Sequence, residues 1–131
     1  MEDKQIPKVT FTKGLSKEEF FGKLFQIRDE IHLAHLNTNS YAAHVALSEF
    51  YDGILDLTDA IIESTQGKYG ILKITSKESK LQDPIKLLED LAKLTDCGPA
   101  YKLFEETWIQ NQIDEISTLT YKTLYKLKTL K

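Results

Sequence analysis

Apolar residues recur every three or four positions in four separate stretches of this 131-residue chain. Three of the stretches are residues 17–37, 40–65 and 108–130, and the remaining one begins at Pro84 and spans about 13–20 residues. This spacing follows the turn of an α-helix and places the apolar side chains on one face, whereas a strand would alternate every second residue. The pattern predicts an all-α protein, in which four amphipathic helices pack their apolar faces together as a four-helix bundle.

Capping residues sharpen the predicted ends of these helices. A polar side chain just before a helix can accept a hydrogen bond from a free amide of the first turn, and proline is favoured at the first helical position. The predicted caps are Ser16 in a capping box with Glu19, Asn39 or Ser40, Asp83 ahead of Pro84, and Thr107 with Gln110. Glycines in residues 66–70 predict the end of the second helix, and Cys97-Gly98-Pro99 predicts an end or a kink in the third.

The connections predict how the helices are arranged. Residues 1–15 are mixed and polar and predict an N-terminal arm, which could include a short strand at Val9–Phe11. The bundle domain is predicted at residues 16–131. The short link after the first helix makes helices one and two antiparallel neighbours. Residues 71–82 are long enough to cross the bundle, so helix three can run parallel to helix two. One long crossover between helices two and three is the ferritin-like arrangement.

Composition narrows the choice of partners. The net charge of −3 does not favour a nucleic-acid partner, and the lysines near the C-terminus are typical of a solvated helix end. The single cysteine, Cys97, cannot form an internal disulfide, which suits a reducing compartment. No apolar run approaches the roughly 18 residues of a membrane span, and the N-terminus has no hydrophobic signal core. We therefore expect a soluble cytoplasmic protein without a membrane or nucleic-acid partner.

Histidines and carboxylates form the chemical pattern of greatest interest. His35 and His44 stand at the two ends of the sequence HLNTNSYAAH. On helical wheels His35 lies within the apolar arc of helix one and His44 lies at the border of the apolar arc of helix two. Imidazole together with carboxylate is a ligand set for iron, manganese or zinc. The candidate metal ligands are His35, His44, Asp59 and Glu63, with Asp52 and His32 as further candidates.

Distance sets a condition on this metal hypothesis. His44 and Asp59 are fifteen residues apart, which is about 22 Å along a helix, so they cannot share a metal ion within one chain. They can share one if helix two packs antiparallel against helix two of a second chain, and a two-fold axis then forms the site twice. The hypothesis therefore predicts a homo-oligomer, at least a dimer.

The same residues resemble the motif of the Dps-type mini-ferritins. That family has a histidine with an asparagine two positions later, a second histidine, an aspartate fifteen residues further and a glutamate four after that. Here the corresponding residues are His35, Asn37, His44, Asp59 and Glu63, and Asp52 resembles an additional acidic position. The resemblance covers residues 17–66 and implies a ferroxidase centre that holds iron between two-fold related chains.

This chain departs from the mini-ferritin pattern at three points. The link between the histidines is three residues shorter, Leu36 replaces a tryptophan, and Val45 replaces a glutamate. A second resemblance spans nearly the whole chain and is the closer one. It is to small tailed-phage proteins with a similar histidine–aspartate helix, a QGKYG turn and a similar C-terminal helix, and it implies a location in the host cytoplasm or the virion.

Two functions follow as alternatives, and they leave open whether the protein is an enzyme. In the first, an iron-binding bundle oxidises Fe²⁺ at a site shared between chains. In the second, the same fold is a non-catalytic oligomeric module, His35 is a hydrogen-bonded core residue, and the carboxylates form a solvated face or pair with Arg28 or a lysine.

Overall fold

The computed structural model describes residues 14–131, and over that range it is helical with no strand. Its long helices are α1 (Lys17–Leu36), α2 (Tyr41–Tyr69), α3 (Pro84–Thr95) and α4 (Thr107–Thr129), and a short 3-10 helix spans Tyr101–Leu103. The predicted all-α class and the four helices are thus confirmed for the described residues. The predicted arm, with its optional strand at Val9–Phe11, lies almost wholly outside them.

Three helices begin at the predicted caps. Ser16 and Glu19 exchange both hydrogen bonds of a capping box at the start of α1. The Ser40 hydroxyl accepts a backbone hydrogen bond at the start of α2. The Asp83 carboxylate does the same ahead of Pro84 in α3. Each cap satisfies an amide that has no partner within its own helix, so these starts could be recognised locally.

The predicted start of α4 is wrong by one residue. Thr107 lies inside the helix, and Glu106 is the residue that precedes it in extended backbone conformation. Gln110 does not form a capping box, because its side-chain amide donates to the carbonyl of Phe104 at 2.7 Å. The Glu106 side chain makes no cap bond because it is turned towards α2.

The glycine segment at 66–70 does end α2, but the predicted last residue, at about 65, is too early because the helix continues through Gly67 to Tyr69. A glycine inside a helix costs only about 0.5–1 kcal/mol relative to alanine, which nearby contacts can offset. Here the Tyr69 hydroxyl in the last turn donates to the Glu106 carboxylate. The helix ends instead at Gly70, whose φ of 92° favours glycine.

The core lies between the apolar faces of the four helices. α2 packs between α1 and α4, and α3 packs chiefly on α4. The largest fully buried side chains are Phe20, Phe21, Phe50, Leu24, Ile27, Ile31, Leu47, Ile54, Ile61, Leu88, Leu91 and Ile109. Among the residues described, no helix is long and apolar enough to cross a membrane.

The connection between α2 and α3 contacts α1 at two positions, Gly22 and Glu30. Near the start of α1, the backbone carbonyl of Thr75 lies so close to Gly22 that a Cβ there would be 2.0 Å from the oxygen. Near its end, Glu30 is only 1% exposed and accepts hydrogen bonds from the Lys80 amide at 3.1 Å and the Gln82 side chain at 2.9 Å. The connection therefore carries the chain from one end of the bundle to the other.

As a result, α3 runs in the same direction as α2. Both helices are antiparallel to α4, as cross-helix polar contacts near each end show. These contacts pair Ser64 with Gln112, Glu49 with Lys126, Thr95 with Ser117, and Glu89 with Lys128. Two of the C-terminal lysines are thus in ion pairs with carboxylates of other helices.

A charged cluster joins the end of α2 to the start of α4. The buried Glu106 carboxylate accepts hydrogen bonds from Lys68, at 2.6 Å, and from the Tyr69 hydroxyl. These two donors favour the ionised form and lower the pKa of Glu106 to about 2. The contact therefore stabilises the fold only while Glu106 is ionised.

The pKa of Glu106 leads to a prediction about acid stability. Because the folded-state pKa lies below the ordinary value of 4.5, the contribution of Glu106 is complete above that value and is lost as the pH falls towards about 2. We expect Glu106→Gln to reduce the loss of stability over this range, as measured by denaturant midpoints between pH 7 and pH 2. The exposed neighbour Glu105→Gln is the control and should leave the profile unchanged. Equal acid sensitivity of wild type and Glu106→Gln would contradict the assignment.

Candidate metal centre

His35 and His44 are joined to each other at the turn between α1 and α2. Nδ1 of His35 donates to the backbone carbonyl of His44 at 2.8 Å, and Nδ1 of His44 donates to the backbone carbonyl of His35 at 3.0 Å. The two rings stack with centroids 3.7 Å apart and an angle of 23° between their planes. His35 is 8% exposed, whereas His44 is exposed. The short link therefore brings the two histidines together.

The reciprocal bonds determine which ring nitrogens remain available. A carbonyl oxygen can only accept, so Nδ1 must carry the hydrogen in both rings. In the neutral imidazole the lone pair is then on Nε2, which is a nitrogen ligand for iron, manganese or zinc. Metal-binding histidines commonly make this kind of second bond, because it fixes the tautomer and the orientation of the ring. The pair thus offers two oriented nitrogen donors.

A row of rings continues from this pair along the groove between α1 and α2. Tyr51 contacts His35 edge-on, with centroids 5.2 Å apart, and stacks on His32 at 4.2 Å. The His32 and His35 rings are 6.0 Å apart. The Arg28 guanidinium also lies over the Tyr51 ring, with its Cζ 5.7 Å from the ring centroid. His32 is therefore positioned by Tyr51 beside the histidine pair.

Within residues 14–131, Arg28 does not pair with the candidate carboxylates of α2, which was one alternative from the sequence. It bonds to Asp29, its exposed neighbour in sequence, at 3.3 Å. The buried carboxylate on this helix is Glu30, and its partners belong to α1 and the connection. On a helical wheel Glu30 lies outside the apolar arc of α1, beside Lys23 and Gln26, so its burial could not be predicted from the sequence pattern.

The candidate carboxylates lie on the exposed side of α2. Asp52, Asp59 and Glu63 are all exposed, and within residues 14–131 neither Asp59 nor Glu63 forms an ion pair. Asp59 and Glu63 are among the residues that line an open cavity of about 440 Å³. Its apolar lining consists of Phe25, Ile62 and Ile74.

Within the described part of one chain, the candidate ligands do not form a complete metal site. No group of three or more histidine, cysteine, aspartate or glutamate residues is placed to hold a metal ion there. His35 and His44 meet at one end of α2, and Asp59 and Glu63 lie towards the other end. A shared site would therefore need carboxylates from a second chain, as the spacing of the residues predicts.

Comparison with known proteins places the chain in a family. Residues 35–127 match a family of unknown function (DUF5856). The chain belongs to this family. The matched range of this chain contains His35 and His44 as well as Asp59 and Glu63. No solved structure matches the chain.

A curated relative supports the resemblance to tailed-phage proteins. This DUF5856 protein is similar to an uncharacterised 14.6 kDa protein of the mobD-ri intergenic region of Enterobacteria phage T4. The two are 31% identical over 119 residues, which are 88% of this chain and 90% of the phage protein. These matches do not support the more distant resemblance to Dps-type mini-ferritins.

Proposed function

We propose that this DUF5856 protein is a phage-type helical bundle with ferritin-like topology that binds a divalent metal ion between two-fold related chains. The observation that carries the proposal is the reciprocal pair of histidine bonds, which leaves Nε2 of both His35 and His44 as donors. Iron is the first candidate, and manganese and zinc suit the same donor set.

The residues of the chain suit such a metal in number and type. His35 and His44 would supply neutral nitrogen donors from one chain, and Asp59 and Glu63 would supply carboxylate oxygens from the other. His32 lies near His35 as a further candidate donor, and Asp52 lies between His44 and Asp59 along α2. If the ion is Fe²⁺, this donor set would support its oxidation to Fe³⁺ by an external oxidant. The chain's own contribution is to fix the tautomer of both rings through the two Nδ1 bonds, which leaves each Nε2 as the ligand atom.

The positions of the candidate ligands along α2 require antiparallel pairing. One end carries imidazole groups and the other carries Asp59 and Glu63, so a two-fold axis near the middle of the helix would bring the imidazoles of one chain to the carboxylates of the other. Parallel pairing would leave the imidazoles and these carboxylates at opposite ends of the helix pair. The proposed homo-oligomer, at least a dimer, is therefore built through α2. The similarity to a phage protein suits a location in the host cytoplasm or the virion.

A second candidate function is a non-catalytic oligomeric module. The observation that favours it is also the histidine pair, because the two Nδ1 bonds join α1 to α2 whether or not a metal ion is present. On this alternative the histidines stabilise the hairpin, and the exposed carboxylates keep the surface of α2 solvated.

Metal analysis combined with molar mass separates the two functions. Protein purified without added metal would be titrated with Fe²⁺ under anaerobic conditions, and separately with Zn²⁺ and Mn²⁺, while light scattering gives the oligomeric state. We expect a dimer or larger assembly that binds metal at one site per chain, as two-fold symmetry requires. An oligomer that binds none of the three ions would favour the structural module. A monomer at micromolar concentration would rule out the shared site.

A further inference from the structure

Tyr41 is the most exposed large hydrophobic side chain of α2. It is the first residue of the helix and is 82% exposed. Asp59 follows eighteen residues later, which is about five helical turns, so the two side chains leave the helix in the same direction. An aromatic side chain in this position can contribute a large buried area to an interface.

The cavity near the other end of α2 has the chemistry to receive a tyrosine. Its lining includes the apolar side chains of Phe25, Ile62 and Ile74 and the carboxylates of Asp59 and Glu63. A tyrosine ring could cover the apolar side chains, and its hydroxyl would lie near the carboxylates or remain in water. The cavity volume of about 440 Å³ leaves room for a side chain of this size.

We infer that Tyr41 of one chain docks in this cavity of a second copy, an inference that rests on the α2 pairing of the proposed function. In antiparallel helices, moving three residues back along one chain corresponds to moving three residues forward along the other. A register that sets His44 opposite Asp59 of the second copy therefore sets Tyr41 opposite Ile62.

Two-fold symmetry forms this contact twice, once on each side of the axis. The imidazole end of one helix then faces the carboxylate end of the other, so the register that sets the metal ligands together also sets Tyr41 at the cavity. Tyr41 would thus be the side chain that selects the register in which the metal ligands meet.

Photochemical cross-linking tests the contact directly. The full chain would carry p-benzoylphenylalanine in place of Tyr41, and isotopically labelled and unlabelled chains would be mixed to identify links between chains. We expect links to peptides that contain Phe25, Ile62 or Ile74. Tyr41 and Ile62 are about 31 Å apart along one helix, so such a link cannot form within a chain. Links confined to other surfaces, or no links between chains, would overturn the inference.

Substitution gives a second readout. Tyr41→Ala should raise the dimer dissociation constant by about 30-fold or more, as expected for an aromatic anchor, whereas Tyr41→Phe should retain most of the affinity. Tyr125→Ala is the matched control, since Tyr125 is 61% exposed on α4, and it should leave dimerisation unchanged. A Tyr41→Ala protein that dimerises like the wild type would contradict the docking contact.

Running both assays with and without added Fe²⁺ or Zn²⁺ separates this inference from the proposed function. Cross-links to the cavity in a protein that binds neither ion would support Tyr41 docking and contradict the metal site. Stoichiometric metal binding without these cross-links would support the metal site and contradict the docking of Tyr41.

Discussion

His44→Ala and Asp59→Ala are each expected to abolish metal binding, and mixing the two variants is expected to restore about a quarter of the sites. In a mixed dimer, one site contains both substitutions, and the other contains intact His44 from one chain and intact Asp59 from the other. Half of the dimers are mixed at equal concentrations, and half of the sites in those dimers are complete. The measurement is metal bound per chain after subunit exchange, by elemental analysis or isothermal titration.

The restoration distinguishes a shared site from one within a single chain. If both ligands came from the same chain, mixing could not recover any site, even after complete exchange shown by mass-labelled subunits. Asp56→Ala is the matched control, because Asp56 is an exposed carboxylate of the same helix that lies outside the proposed ligand set. It should bind metal like the wild type. Circular dichroism of each variant would show that the hairpin still folds when His44 loses its bond to His35.

Gly22→Ala is expected to destabilise the protein by about 2–3 kcal/mol, the cost of forcing an extra carbon into a packed position. The added Cβ would lie 2.0 Å from the carbonyl oxygen of Thr75, and this atom belongs to the backbone and cannot simply rotate away. The connection would have to move off α1, which would also weaken the bonds that Glu30 receives from Lys80 and Gln82. The measurement is the midpoint of urea unfolding at a fixed protein concentration.

Gly67→Ala is the control for this prediction and should change stability in the opposite direction. Nothing lies within 4 Å of a Cβ built at Gly67, which is inside α2. Alanine should therefore stabilise the helix by about 0.5–1 kcal/mol. If Gly22→Ala were as stable as the wild type, the close packing of Thr75 on α1 would be wrong.

The helices and most of their starts could be predicted because these features are local. The spacing of Phe20, Leu24 and Ile27 reports a helical face, and Ser16 or Asp83 caps a helix through bonds within a few residues. The end of α2 could not be predicted in this way. Gly67 suggests a stop, but the contact between Tyr69 and Glu106, thirty-seven residues apart, continues the helix past it.

For the candidate site, too, some properties follow from the sequence and others depend on the tertiary structure. The sequence by itself determined which residues could bind metal, and the fifteen-residue separation of His44 and Asp59 showed that one chain cannot complete the site. Only the tertiary structure decided the state of the histidines, because their tautomers depend on carbonyls that the turn between α1 and α2 brings within 3.0 Å. It also decided the path of the crossover, since the backbone of Thr75 can approach α1 only where Gly22 has no side chain, and Glu30 finds its partners only once that approach is made.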